Sequence, residues 1–329
     1  MPPTAADPIP LVVRFPALAR IPRVALGEWP TPVQLAGATG TGLPPNLWIK
    51  RDDLASPTLG GNKVRALEFL LAGLAPGDVV LTAGGEGSTH ILTTASYART
   101  LGALTHAVRW THDMNPSALT VAERARAACD RVTTTRSPLI GLLRAHAQRR
   151  RTIRWIPPGG TSPLGMLGHV NAALELAAQV ARGEVPEPET VVLPVGSGGT
   201  AAGLALGLEI AGLGTGVAGA RVAPRIAAGR ARVLRLAERA RRYLEQLSGE
   251  QIAKVNGARV EILHDVYGGA YGRPLPAAAA GAEMLERATG IRLDGTYSAK
   301  AFHAALGRAN AGTECTLFWL TYVGRVARP

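Results

Sequence analysis

Val191-Val-Leu-Pro-Val-Gly-Ser-Gly-Gly-Thr-Ala-Ala-Gly203 is the stretch that decides the fold. Its first half is a short apolar run, which predicts a buried strand over 190–195. Gly196 to Thr200 is a tight glycine turn, and a helix follows at once from Ala201. Glycines let the backbone approach a ligand, and the unpaired N–H groups of a helix N-terminus attract an anion. Ser197 and Thr200 add hydroxyl donors beside Gly196, Gly198 and Gly199. A dinucleotide reading of Gly196, Gly198 and Ala201 needs an acidic residue about 20 positions on, to hold a ribose. That region is Gly219-Ala-Arg-Val-Ala-Pro-Arg225, which has no carboxylate. No glycine turn ends in Gly-Lys-Ser/Thr, so a nucleoside-triphosphate loop is excluded. A single phosphate fits best; the alternative is a plain structural turn.

Outward from this unit, strands and helices alternate. Strands are predicted over 47–53, 78–83, 104–110, 131–135, 152–156, 220–223, 258–263 and 316–320. Helices are predicted over 64–71, 91–101, 116–129, 138–150 and about 167–182. Pro157 to Gly165 breaks the pattern and reads as a loop crossing between lobes. Residues 1–46 are rich in Pro and Gly, with 29–33 extended on a core. Such alternation argues an α/β fold with parallel twisted sheets.

Composition narrows the class. The chain of 329 residues is 47% hydrophobic, yet no apolar run is long enough to span a bilayer. Cys129 and Cys315 form no CxxC or metal-type cluster, so free thiols, no metal and a reducing, cytoplasmic setting are expected. Met1 to Asp7 lacks the basic and apolar regions of a secretory signal. The net charge of +12 comes from scattered arginines such as Arg221, Arg230 and Arg239, with no interleaved aromatics. Nucleic acid is therefore not an expected partner, although the charge favours small anions.

Among 36 basic residues only four are lysines: Lys50, Lys63, Lys254 and Lys300. A lysine amine can lose its proton and act as a nucleophile, whereas arginine stays charged. Lys63 sits in Leu59-Gly-Gly-Asn-Lys-Val-Arg65, at the start of a helical pattern. A second glycine turn, Gly84-Gly-Glu-Gly-Ser-Thr-His90, offers Ser88, Thr89 and His90 at another helix N-terminus, where a substrate carboxylate could sit. The plain alternatives are a surface lysine and a capped turn. Taken together, a lysine, a phosphate cradle and a carboxylate turn point to a pyridoxal 5'-phosphate enzyme acting on an amino acid, with Lys63 as the Schiff-base residue.

At these residues the chain resembles the fold-type-II pyridoxal-phosphate enzymes (tryptophan synthase β-like), and within them the D-cysteine desulfhydrase and 1-aminocyclopropane-1-carboxylate deaminase group. The most specific piece is Gly60-Gly-Asn-Lys-Val-Arg65, which is similar to the family's Schiff-base motif. The resemblance implies a phosphate loop at Gly196–Thr200, and Ser88 as carboxylate ligand or proton-transfer aid. Ala270-Tyr-Gly-Arg-Pro274 is similar to a family motif that places an active-site tyrosine at Tyr271. Leu293-Asp-Gly-Thr-Tyr-Ser-Ala-Lys300 is similar to another, which puts Tyr297 against the cofactor ring and Ser298 near its nitrogen. Core aromatics with satisfied hydroxyls are the plain reading of both tyrosines. Ser298 and Thr321 side with the desulfhydrase-like members, since the cyclopropane deaminases carry Glu and Leu there. Further cofactor or substrate contacts are expected at Asn62, Thr89, His90 and Ser162.

Two motifs depart from the family pattern. Where the family reads Gln-Ser-Asn-His (or Gln), this chain has Gly87-Ser-Thr-His90; where it reads His-Thr-Gly-Gly, this chain has Leu320-Thr-Tyr-Val. Tyr322 and Val323 thus bring bulk to the cofactor side. The expected protein is a homodimer of two-lobe chains, with a large domain of 1–59 and 174–329 and a small domain of 60–173. The expected reaction is α-proton abstraction and β-elimination from a small amino acid. A racemase, a β-replacement enzyme and a catalytically silent cofactor-binding descendant are the alternatives.

Overall fold

In the computed structural model, which describes residues 8–37, 40–114 and 116–323, the Val191 run lies inside a sheet. The segment read for a signal and Gly324 lie outside the described residues. Strands β1 (Val33–Leu35) and β2 (Leu47–Lys50) come first. Next are β3 (Val79–Gly85), β4 (Leu104–Trp110), β5 (Arg131–Thr135) and β6 (Ile153–Ile156). The last are β7 (Thr190–Val195), β8 (Gly216–Arg221), β9 (Val260–Leu263) and β10 (Thr316–Trp319). One sheet has the order β1-β2-β10-β7-β8-β9, and the other β5-β4-β3-β6. All pairings are parallel except β1 with β2. The expected α/β class with parallel twisted sheets is what forms.

Several boundaries move for physical reasons. The 47–53 strand stops at Lys50, because Asp52–Leu54 turns into a short 3-10 helix that carries both aspartates inward. The strand expected at 220–223 starts four residues earlier, at Gly216. Its glycines disguise it: a Cβ on Gly219 would meet Val195 and Ile262 at 2.5 and 2.7 Å, so only glycine fits between the neighbouring strands. The helix expected from 167 begins at Pro163, with Pro at its first turn and Ser162 as its cap. β1 had no reading as a strand at all; three residues pairing antiparallel carry too little periodicity.

The helix Pro163–Ala181 packs between the Lys63–Leu70 and Gly199–Ala211 helices. A Cβ on Gly168 would collide with the Arg65 carbonyl, so its absence lets the Lys63 helix lie directly on this backbone. Leu167, Val170, Leu204, Leu206 and Leu208 lie between these helices and β7 in one buried cluster. That packing sets the lysine beside the phosphate turn.

Candidate active site

Lys63 is the first residue of its helix, and the loop before it is tied to the C-terminal segment. Asn62 N donates to Thr321 O at 3.0 Å, and Gly61, at φ 135°, leaves no room for a Cβ against that same carbonyl. Two residues on, Arg65 donates to Asp52 Oδ1 at 2.7 Å, Asp52 Oδ2 at 2.9 Å and Glu175 Oε2 at 2.9 Å. Lys50 Nζ joins Glu175 at 2.5 Å, and Trp319 Nε1 donates to Asp52 at 2.8 Å. Two cations and two carboxylates, all buried, balance each other and hold the lysine's helix against the larger sheet.

The four lysines now separate. Lys50 is spent in that network, Lys300 donates to Tyr267 O at 2.7 Å, and Lys254 is exposed. The Lys63 amine makes no hydrogen bond or ion pair among the described residues and lies 6.0 Å from the Tyr297 ring centroid. Desolvation lowers it to about 8, with the Asp294 carboxylate opposing the shift. A neutral amine is thus available near physiological pH.

The phosphate turn lies across from it. Gly198 takes φ 89° and caps the Gly199–Ala211 helix, whose first-turn N–H groups have no partner within the helix. Thr161 Oγ1 donates to Ser197 Oγ at 2.7 Å, closing the 157–165 loop over the turn. Asn62 Nδ2 donates to Thr200 Oγ1 at 2.8 Å, joining the lysine loop to the cradle. Gly196 leaves open space against Tyr297, the first atom a Cβ would meet there being 4.0 Å away. Asn62 Oδ1 is buried with no partner among the described residues. An unpaired amine, an anion cradle with hydroxyls and an orphaned amide oxygen in one place fit pyridoxal phosphate. Thr161 escaped the sequence reading; its only signal was its place in a Gly-Gly-Thr-Ser loop.

Tyr271 and Tyr297 meet hydroxyl to hydroxyl, their rings edge to face at 6.0 Å. Burial raises both phenols, Tyr271 to about 12 and Tyr297 well above its usual range. Both therefore stay protonated, and one shared hydrogen bond leaves one hydroxyl proton unspent. Asp294 accepts from the backbone N–H groups of Thr296, Tyr297 and Ser298 at 2.8 to 3.0 Å, which fixes Tyr297 at the start of the Ser298–Ala311 helix. Desolvation nonetheless raises the Asp294 carboxyl. Sequence reading gave Asp294 no role, although it stood inside a quoted motif. Ser298 is fully buried, and its hydroxyl donates to the Tyr322 carbonyl.

The carboxylate turn divides. Ser88 occupies the cap position of the Thr89–Thr100 helix, yet its hydroxyl makes no capping bond. Thr89 lines a cavity of about 180 Å³ together with Gly87, Arg124, Tyr271, Tyr297 and Tyr322. Lys63, Ser88, His90, Ser162 and the Gly196–Thr200 turn are not among its lining residues, and the cavity adjoins the lysine through Tyr297. The Thr82 hydroxyl gives its proton to Ile156 O, so it accepts from His90 Nε2 at 2.9 Å. Burial, with Lys63 nearby, lowers the imidazole to about 3, and His90 is a neutral interior group rather than a substrate ligand. Ser162 Oγ accepts from Gly165 N at 3.1 Å and serves as the helix cap, which leaves its O–H to donate. Thr321 is buried and its carbonyl is the one that holds Asn62. Val323, partly buried, packs against the apolar cluster that includes Phe302 and Phe318 and does not line the cavity.

Fold and site together define an enzyme that works through a lysine-held, phosphate-bearing cofactor. A model of the pyridoxal-phosphate dependent enzymes matches residues 24–317, and the chain belongs to that family. It is 35% identical over 297 residues to a D-cysteine desulfhydrase of Salmonella choleraesuis, covering 86% of this chain and 87% of the relative. It is 36% identical over 323 residues to a nocardicin C-9' epimerase of Nocardia uniformis subsp. tsuyamanensis, covering 92% and 93%. Among solved structures, an ACC deaminase homologue matches with a TM-score of 0.75 at 28% identity over 95% of both chains. The fold is the fold-type-II arrangement, and the cofactor is pyridoxal phosphate.

Proposed function

We propose that this chain is a lyase or deaminase of the D-cysteine desulfhydrase kind, removing the α-proton of a small amino acid and eliminating a β-substituent. The observation that carries the reading is the unpaired Lys63 amine, set between the Gly196–Thr200 cradle and the Tyr271–Tyr297 phenol pair. Bound cofactor supplies the electron sink for the departing α-proton. Backbone N–H groups from Gly196 to Thr200, with the hydroxyls of Ser197, Thr200 and Thr161, hold its phosphate. Ser88 and Thr89, at a helix N-terminus, orient the substrate carboxylate. The Lys63 amine would move the α-proton. Tyr271 carries the unspent phenolic proton toward the leaving group, and Tyr297 fixes the ring side of the site. Asn62, Ser298 and Thr321 frame the cofactor.

The lobes follow the sheets. All four strands of the smaller sheet fall between Val79 and Ile156, which supports a small domain at 60–173 inserted into a large one. A homodimer is supported by Leu139, Ile140, Leu142 and Leu143, all exposed on the Pro138–Gln148 helix. A cytoplasmic setting is supported by two buried free cysteines. No helix among the described residues is long and apolar enough to cross a membrane.

The test is product analysis of the cofactor-loaded enzyme with D- and L-cysteine and their S-substituted forms. Release of ammonia and a keto acid is expected, with Lys63→Ala losing at least about a thousandfold in rate. Inversion at the α-carbon without ammonia would make the chain an epimerase, and no turnover of any amino acid would make it a silent descendant.

A further inference from the structure

Three of the residues at which this chain departs from its resemblance, Gly87, Thr89 and Tyr322, line the cavity. A Cβ on Gly87, where the related motif has Gln, would stand 2.7 Å from the Ala118 carbonyl. The missing side chain thus lets the Pro116–Ala128 helix close on the carboxylate turn. That approach brings Arg124 to the cavity lining. Arg124 is half-buried and has no ion pair among the described residues, whereas Arg109 nearby is paired with Glu86 at 3.0 Å. Tyr322, standing where the related motif has Gly, lines the same cavity, and its buried hydroxyl has no hydrogen-bond partner among the described residues. Burial raises that phenol to about 12, and Arg124 is close enough to pull it the other way. The one carboxylate on this lining, Asp294, already accepts three backbone N–H groups. An unpaired guanidinium and an unpaired phenol on one cavity wall form a donor set without an acceptor.

We propose that the amino acid accepted here carries a second carboxylate at the end of its side chain, held by the Arg124 guanidinium and the Tyr322 hydroxyl. This rests on the amino-acid reading above and names the substrate class for that same site. The α-carboxylate goes to Ser88 and Thr89, and the distal one lies against the Pro116–Ala128 helix.

S-carboxymethylcysteine and S-methylcysteine, each as D and L forms, differ at that distal end. Their affinities for the cofactor-loaded enzyme are read from the shift of the visible cofactor band. Calorimetry with a plain dicarboxylate on the cofactor-free protein gives a second readout. The carboxymethyl compound is expected to bind roughly 10- to 100-fold more tightly than the methyl one. Arg124→Met brings that ratio near one, Arg124→Lys recovers part of it, and Tyr322→Phe lowers it several-fold. Equal binding of the pair by the wild type, or an equal loss for both compounds in Arg124→Met, overturns the inference alone. Binding of neither by the loaded enzyme overturns the amino-acid reading along with it.

Discussion

At the residue scale, the reactivity of Lys63 comes from what does not touch it. Lys50 and Lys300 have firm acceptors, while Lys63 has a desolvated cleft and a distant ring. Only the neutral amine attacks, so the lowered value of about 8 sets the pH at which cofactor is taken up. The rate of incorporation into cofactor-free protein should rise with pH and level off above about 8. A rate still climbing toward the ordinary lysine value of 10.5 would contradict this. The lysine itself was legible because arginine has replaced most other lysines. Its distance from every acceptor was not, since that depends on chains brought together from 62, 294 and 321. His90 and Ser162 show the converse: both stood in suggestive loops, and both were claimed by local hydrogen bonds that a linear reading does not show.

At the element scale, the buried quartet of Lys50, Asp52, Arg65 and Glu175 anchors the catalytic helix. Burial would raise the Glu175 carboxyl, but Arg65 and Lys50 hold it down to about 2. A carboxylate so depressed adds stability that is complete above its ordinary 4.5 and is lost as the pH falls through about 2. Removing the shared cation by Arg65→Met leaves Lys50 as the one cation for two buried carboxylates and should cost about 3–5 kcal/mol in urea unfolding. A loss below about 1 kcal/mol would mean that the helix is held by packing alone. The strands and helices around this quartet were mostly legible from apolar runs and glycine turns. The quartet was not, because Asp52 and Glu175 look like ordinary surface charges until Gly168 lets two helices touch.

At the scale of the whole molecule, each of two mostly parallel sheets brings one glycine turn toward Tyr297, Gly196 of one facing its ring and Gly87 of the other lining the cavity with it. The α/β alternation was legible throughout, whereas β1 and the glycine-rich start of β8 were hidden by weak strand residues. The face of Leu139, Ile140, Leu142 and Leu143 is too apolar for open water, with Leu139 68% and Leu143 62% exposed. Light scattering should find a dimer for the wild type and a monomer for a Leu139→Glu/Leu143→Glu double variant. A dimer that survives the double substitution would place the interface elsewhere.

The central claim is that Lys63, and no other lysine, carries the cofactor. Borohydride reduction of the loaded enzyme fixes the linkage, and peptide mapping by mass spectrometry locates it. The modification is expected on the peptide spanning Gly60 to Arg65. Its appearance on Lys50, Lys254 or Lys300 instead would contradict the account.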